Sequence, residues 1–459
     1  MRMGKKNISK MLVERDDIAY PYDTSLVLSD YLKKYKKTKR YQVVSFRDLV
    51  FWLKNKERAT HYIHPYPGKL LPHIVHFFLA SYSFFPKNSL VLDPFSGTGT
   101  ITLESYLSGR NSLFADTNPL ARLITSSKTD SIDFKIISKL VKKMEIYYYS
   151  ERKYVIPDVI NIDYWYDIDI INKLSKIKTA LDLIEESSEK DFLRVAFSSI
   201  VKKLSYADPR LSVPVHRNNE LVTDTGEEVF DIFKQQVSIN CNRHKSFHEI
   251  CKTYLTSHCV GEDARQLKVA GHWNEIQTRK LSKNTVDLII TSPPYAGAQK
   301  YIRASCLNIG WLGMSTSADL MELDRKTIGS ERLRKADYNE LKLTNIKAAD
   351  NQLKRLYKKN PERTAIVSSY INEMKKAIDE MKRVLRKNGV VLLIIGNNSV
   401  CGEIFKSSSY LLEYFQEIGF NLELMFMDEI RSWGLMTKRN KTASIITHEW
   451  IMMLRKKND

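Results

Sequence analysis

The sequence predicts an α/β fold: an open, mostly parallel sheet interrupted by a helical insertion. Three observations predict it. Short apolar runs of strand length alternate with amphipathic helical stretches. A glycine-rich turn, "DPFSGTGT" from Asp93, joins one such run to a helix. Aspartates recur directly after apolar runs, at Asp93, Asp116 and Asp263, where open α/β sheets bind ligands.

In chain order, residues 1–43 read as a basic, partly helical arm with a dense run at "KKYKKTKR". Residues 44–130 hold the first βαβ pattern: strand "SLVLD", the glycine turn, a helix "ITLESYLSGR" closed at Gly109, strand "NSLFAD" and helix "NPLARLITSS". Residues 131–256 break the alternation and read as a mostly helical insertion, with a Pro-containing loop at "ADPRLSVPVHRNN". From 257 to 459 the alternation resumes. A strand is expected at Cys259–Gly261, then "VDLIIT", a helix over 369–386, the buried strand "VVLLIIG" and a helix over 407–418. The last two strand-like runs, "NLELMFMDEI" and "SIITHEWIMMLR", are expected to form an antiparallel edge.

With 459 residues, the chain is long enough for one to three domains. At 43% hydrophobic and 27% charged it is ordinary for a globular protein. No apolar run spans a membrane and the N-terminus lacks a signal-peptide core, so the expected location is cytoplasmic. Five sparse cysteines predict reduced thiols. The net charge of +19 favours a polyanionic partner, nucleic acid first. Basic residues crowd 1–60 and 325–363, while 131–256 is nearly balanced.

The glycine turn lets a backbone approach a ligand closely. A P-loop would require Gly-Lys-Ser/Thr, but the chain has Gly99-Thr100-Ile101. A dinucleotide site would prefer glycine where Thr102 stands. S-adenosylmethionine fits a turn that holds its methionine part, with Asp93 facing the ammonium and Asp116, 23 residues on, at the ribose. A tight turn with no ligand is the competing reading. Asp263 is placed to accept from an adenine amine, or to cap a helix over "ARQLKV".

The strand "VDLIIT" runs into Ser292-Pro293-Pro294-Tyr295, where prolines end the ladder. An exocyclic amine on a nucleobase is a poor nucleophile, because its lone pair is delocalised into the ring. The Ser292 hydroxyl and the Pro293 carbonyl can hold its hydrogens and draw the nitrogen toward tetrahedral geometry. Pro294 stiffens the loop. Tyr295 can stack on a base flipped from its duplex and face a sulfonium. A Pro-rich turn after a strand is the bland alternative.

"DPFSGTGT", "ADTNP", "GEDAR" and "TSPPY", in that order, resemble the motifs of the amino-methyltransferases of DNA, and "HPYPGKLLP" (His64 to Pro72) is similar to that family's upstream cofactor motif. The resemblance covers about 44–130 and 257–459. It implies a Rossmann-like fold with a seven-stranded mixed sheet, and methyl transfer from S-adenosylmethionine to cytosine N4 or adenine N6. It also implies that Asp93, Pro94, Phe95, Gly97, Gly99, Asp116, Asn118, Asp263 and Thr291 bind the cofactor and that Ser292 to Tyr295 are catalytic. Serine before Pro-Pro-Tyr leans toward cytosine N4. The partner implied is double-stranded DNA, with a cognate restriction endonuclease as a compatible second partner and the oligomeric state open.

The insertion between the second and third motifs departs from the family pattern, so the DNA-reading segment must be sought. The basic stretch 320–365, with Arg332, Arg334 and Lys335, is the preferred candidate for phosphate contact. A solvated helix pair is its bland counterpart. Arg210 and Arg217 on the insertion loop are the other candidates. Cys241, His244, His248 and Cys251 have helical spacing, which closes a zinc tetrahedron poorly, so no metal is expected. The turn "RSWGLMTKRNKT" before the last strand either touches DNA or links two strands. Adenine N6 methylation, methylation of an amine in RNA, and nucleic-acid binding without catalysis are the rival functions.

Overall fold

A computed structural model describes residues 4–54, 58–217, 228–251, 254–275, 277–296, 300–429 and 448–458. Eight strands form the central sheet: β1 (Gln42–Val44), β2 (Val91–Asp93), β3 (Ser112–Phe114), β4 (Ser257–Cys259), β5 (Val286–Thr291), β6 (Leu385–Gly396), β7 (Phe420–Glu429) and β8 (His448–Lys456). Their order is β1-β7-β8-β6-β5-β2-β3-β4. Within this sheet β8 alone runs antiparallel to both of its neighbours, β6 and β7. β2 lies between β3 and β5, parallel to both, so the chain leaves it in opposite directions along the sheet. Crevices open at such reversals, beyond the carboxyl ends of the strands.

The sheet corrects three expectations. It has eight strands, not seven. The eighth is a three-residue edge strand, too short for its periodicity to register, and it comes from the end of the stretch read as a basic arm. That stretch also supplies helix α1 (Ser25–Thr38), whose Tyr31 packs edge-on against Phe426 of β7 while Lys33, Lys34, Lys36 and Lys37 face outward. β8 is not at an edge either: it enters between β6 and β7, and β1 closes that side. Finally, β4 ends at Cys259, two residues before the glycine expected to close it.

Helices α2 (Pro72–Leu79) and α3 (Thr100–Leu107) cover one face of the sheet. Along β5, Leu288 and Ile290 point to that face and Ile289 to the other, as period two requires. Helix α4 (Pro119–Thr129) follows β3. The insertion then adds α5 (Phe134–Tyr148), α6 (Ile162–Trp165), α7 (Ile168–Asp182), α8 (Ser188–Val201) and α9 (Val229–Ile250). After β5 come α10 (Tyr301–Trp311), α11 (Leu320–Lys326), α12 (Lys347–Lys359), α13 (Pro361–Val384) and α14 (Ser407–Glu417). α13 begins eight residues before the expected start, because Asn360 caps it by accepting from Arg363 and Pro361 fits its first position.

The insertion does not carry a private core. Its buried Phe192, Phe197 and Phe230 lie in one cluster with Leu120, Leu123 and Ile124 of α4 and Trp311 of α10. Among the described residues, no helix is long and apolar enough to cross a membrane. The described cysteines are free thiols.

Candidate active site

The crevice beside β2 gathers the ends of three strands. Asp93 closes β2 and is 2% exposed. Its carboxylate accepts from the Phe95 amide at 3.1 Å and from the Thr291 hydroxyl, at the end of β5, at 2.7 Å. Burial raises its pKa to about 7, against the pull of those two donors. Asp116 follows β3. One carboxylate oxygen accepts from the Gly97 amide and the other from the Asn118 amide, both at 2.8 Å. Its side chain lies deep among protein atoms yet keeps a solvent-facing edge, as a group at the floor of an open cleft does. Burial raises its pKa to about 6.

The glycine turn is held from several sides. Thr125 donates to the Gly97 carbonyl at 3.0 Å, and the buried Lys128 ammonium reaches the Thr98 carbonyl. Gly99 has φ +71° and a methyl group there would meet Thr125 at 2.7 Å, so only glycine fits. Gly97 differs: a methyl group there would meet nothing within 4 Å, so space opens beside the backbone. The Ser96 hydroxyl in the same turn is buried without a hydrogen-bond partner. An open cradle, an unsatisfied hydroxyl and two carboxylates fit a ligand that carries an ammonium and ribose hydroxyls.

Asn118 plays a structural part. Its side chain caps α4 by accepting from Leu120 and donates to the Tyr66 hydroxyl at 2.9 Å and to Ser305 at 3.1 Å. Tyr66 stacks on Tyr301, so the upstream motif is joined to α10 across the cleft. Asp263 caps no helix: residues 263–266 form a turn, where its carboxylate accepts from the Arg265 amide at 2.9 Å and the Arg265 guanidinium at 2.8 Å. Arg265 also meets Glu373 at 3.3 Å.

The catalytic candidates follow directly from Thr291. Pro293 is buried, while Ser292, Pro294 and Tyr295 are half-buried. The Tyr295 hydroxyl donates to Glu449 Oε1 at 2.8 Å. Burial first, and then the Glu449 carboxylate, hold the phenol well above its usual pKa, with the Ser292 hydroxyl near enough to oppose them. Burial also raises the Glu449 carboxyl. Glu449 was not singled out in the sequence. Its only signal there is one acidic residue within an apolar terminal strand; the register that sets it opposite Gly396 is a property of the sheet.

The DNA-contact candidates fall on two segments, and Arg332 lines one groove with Pro214 of the insertion loop and Arg303 of α10. Arg332 is exposed and pairs with Asp324 at 3.5 Å. Arg334 and Lys335 are exposed beside a 3₁₀ turn. Other charges of that stretch are also matched: Arg363 with Glu331 at 2.6 Å, Lys342 with Asp337 at 3.1 Å and Lys359 with Glu403 at 2.6 Å. Arg210 and Arg217 lie on the insertion loop, between α8 and α9. Cys241, His244 and His248 lie along α9, and Cys251 caps its end. The turn 431–442 lies outside the described residues.

Comparisons with known proteins agree on one class. A family model of the N6/N4 type, described as DNA methylase, matches residues 286–459. The chain is similar to the Type II methyltransferase M.MvaI of Kocuria varians, with 23% identity over 426 residues, covering 87% of this chain and 92% of that one. It is similar to the Type II methyltransferase M.AvaI of Nostoc sp. (strain PCC 7120), with 24% identity over 363 residues, 72% of this chain and 73% of that one. A third relative, the Type II methyltransferase M.MjaII of Methanocaldococcus jannaschii, shares 27% identity over 193 residues, 41% of this chain and 34% of that one.

Proposed function

We propose a specific reaction for a chain that belongs to the DNA amino-methyltransferase family: methylation of cytosine N4 in duplex DNA, at a defined sequence, as the modification half of a restriction system. The single observation that carries it is the continuity of Thr291 with Ser292-Pro293-Pro294-Tyr295. The hydroxyl tied to the Asp93 carboxylate immediately precedes the amine-binding loop, so the two halves of the reaction are one residue apart.

S-adenosylmethionine, when bound, supplies an electrophilic methyl group on a sulfonium. Asp93 would face its ammonium, Asp116 its ribose and Asp263 its adenine, and Gly97 would admit it to the backbone. The Ser292 hydroxyl and the Pro293 carbonyl accept the two N–H hydrogens of the target amine. That withdraws the nitrogen lone pair from the ring before attack. Tyr295 stacks on the extruded base, and Glu449 holds the Tyr295 ring at its angle through the 2.8 Å hydrogen bond. Attack by the amine held at Ser292 and Pro293 would form the N–C bond as the C–S bond of the sulfonium breaks. The nitrogen then sheds a proton, which passes through the Ser292 hydroxyl to water. No side chain with a tuned pKa has to remove it beforehand.

Labelled-methyl transfer tests the reading. The protein should move label from S-adenosylmethionine to duplex DNA from a methylation-free host and not to RNA. Ser292→Ala and Tyr295→Ala should each lower kcat on the order of 10²-fold or more. Label on RNA alone, or none on any nucleic acid, would contradict it.

A further inference from the structure

Among the described residues after α8, the hairpin 205–217 is tied at several points. Ala207 and His216 form an antiparallel bridge, and the Asp208 amide donates to the Val215 carbonyl at 2.8 Å. The base of this hairpin is tied to α6: the Tyr206 amide donates to the Trp165 carbonyl at 2.9 Å, and the Arg217 amide to the Tyr206 carbonyl at 2.9 Å. His216 packs on the exposed Tyr164 ring at 4.3 Å. The tip is tied from below, where Lys202 donates to the carbonyls of Leu211 and Ser212.

Arg210 stands at this tip with a side chain 79% exposed. It is not loose. Its amide donates to Asp208 Oδ1 at 2.9 Å, its Nε to the same oxygen at 3.0 Å and its Nη2 to Oδ2 at 2.6 Å. One edge of the guanidinium is therefore spent on a neighbour that fixes its direction. The other edge, Nη1 with the second Nη2 hydrogen, has no contact among the described residues and points from a mounted tip. Two parallel donors in one plane match the O6 and N7 acceptors that guanine shows in the major groove. The same planar edge can also meet a phosphate bidentately, which would fix position without reading sequence.

Beside the tip, Pro214 lines a mostly apolar groove of about 380 Å³. Its other walls include Trp165 and, from α10, Ile302 and Arg303, with Arg332 at its margin. α10 is the helix that follows the catalytic loop. The groove thus joins the hairpin to α10, and its lining carries Arg303 beside the Arg332–Asp324 pair.

We propose that the 205–217 hairpin is the element that reads the DNA target, with Arg210 reading a guanine in the major groove while Asp208 holds it in register. The claim rests on the reading that this chain acts on duplex DNA. It moves base reading from the basic stretch 320–365 to the insertion and leaves that stretch, where six of twelve basic side chains pair with carboxylates, as a candidate for phosphate contact.

The test selects bound duplexes from a randomised library with the full chain, and sequences them for wild type, Arg210→Ala, Arg210→Lys and Asp208→Ala. The wild-type motif should contain a G·C pair whose preference, roughly 10- to 100-fold, disappears in both arginine variants while the other positions persist. Lysine keeps the charge and lacks the planar pair of donors, so it should not restore the preference. Asp208→Ala should give an intermediate loss. An unchanged motif in Arg210→Ala overturns the proposal. So does equal weakening on all sequences with a salt slope shallower by about one, which marks a phosphate contact. A wild type that enriches no motif overturns it as well. A wild type that enriches the motif and transfers no methyl group sinks the methylation reading and leaves the arginine's role to be read from the motif.

Discussion

Asp93 shows how one residue sets stability against function. Burial holds its carboxyl at about 7, above the ordinary 3.8. For a group raised on folding, the stabilisation is full below the unfolded value and is lost as pH rises through the folded one. The ligand-free protein therefore loses stability between about pH 4 and 7 through this group. Asp93→Asn should be more stable than wild type at pH 8, by roughly a few kcal/mol at most, with the gap closing toward pH 4. Its S-adenosylmethionine affinity should fall. In wild type that affinity should climb as pH passes 7, with proton release on binding at pH 6. Calorimetry in buffers of different ionisation enthalpy measures both. Glu449 makes a second prediction at this scale. Glu449→Gln keeps an acceptor for the Tyr295 hydroxyl and should cost less kcat than Glu449→Ala, with KM for the cofactor unchanged in both; equal losses would remove its positioning role. The placement of Asp93 and of the TSPPY loop at the ends of strands was legible in the sequence because each is a local event, whereas Asp263 lies four residues beyond the end of β4. Glu449 was not, since its contact with Tyr295 joins residues 154 positions apart. The Asp208–Arg210 lock spans two residues, yet a sequence does not say that the tip carrying it is mounted.

At the scale of elements, the turn from β2 to α3 is the most constrained piece. Gly99→Ala would place a Cβ at φ +71° and 2.7 Å from Thr125. The conformation alone costs about 1–2 kcal/mol, and the overlap adds to it. Thermal unfolding should show the loss, and Thr125→Ser should recover part of it by removing the methyl group. Gly97→Ala should act differently. At φ +49° it carries the same conformational cost but has room for the Cβ, so it should lower the melting temperature less than Gly99→Ala does while lowering cofactor affinity. β5 and the apolar part of β6 were readable as short continuous apolar runs of strand length. β1 was not, because a three-residue edge strand exists only when β7 is there to pair with it. The same holds for β8: its pattern revealed a strand, and its place between β6 and β7 followed from pairing.

For the whole molecule, the charge and the shared core matter most. A net charge of +19 predicts DNA binding that weakens steeply with salt, and a log–log slope from titrations should count the phosphates neutralised. The insertion shares its core with α4 and α10, so deleting 131–256 would bare the apolar faces of helices that flank the site. That deletion should aggregate, and it should not leave a catalytic half that methylates without specificity. The insertion's helical character was visible in its period, whereas its fusion with the core depends on which faces meet.

The central claim is a methyl group on cytosine N4, made by the loop that begins at Ser292. The most direct test expresses the gene in a methylation-free host, digests plasmid DNA to nucleosides and measures N4-methylcytosine and N6-methyladenine by mass spectrometry, with Tyr295→Ala as control. N4-methylcytosine is expected in the wild type and none in the control. N6-methyladenine in its place would contradict the base assignment, and neither nucleoside would contradict the reaction.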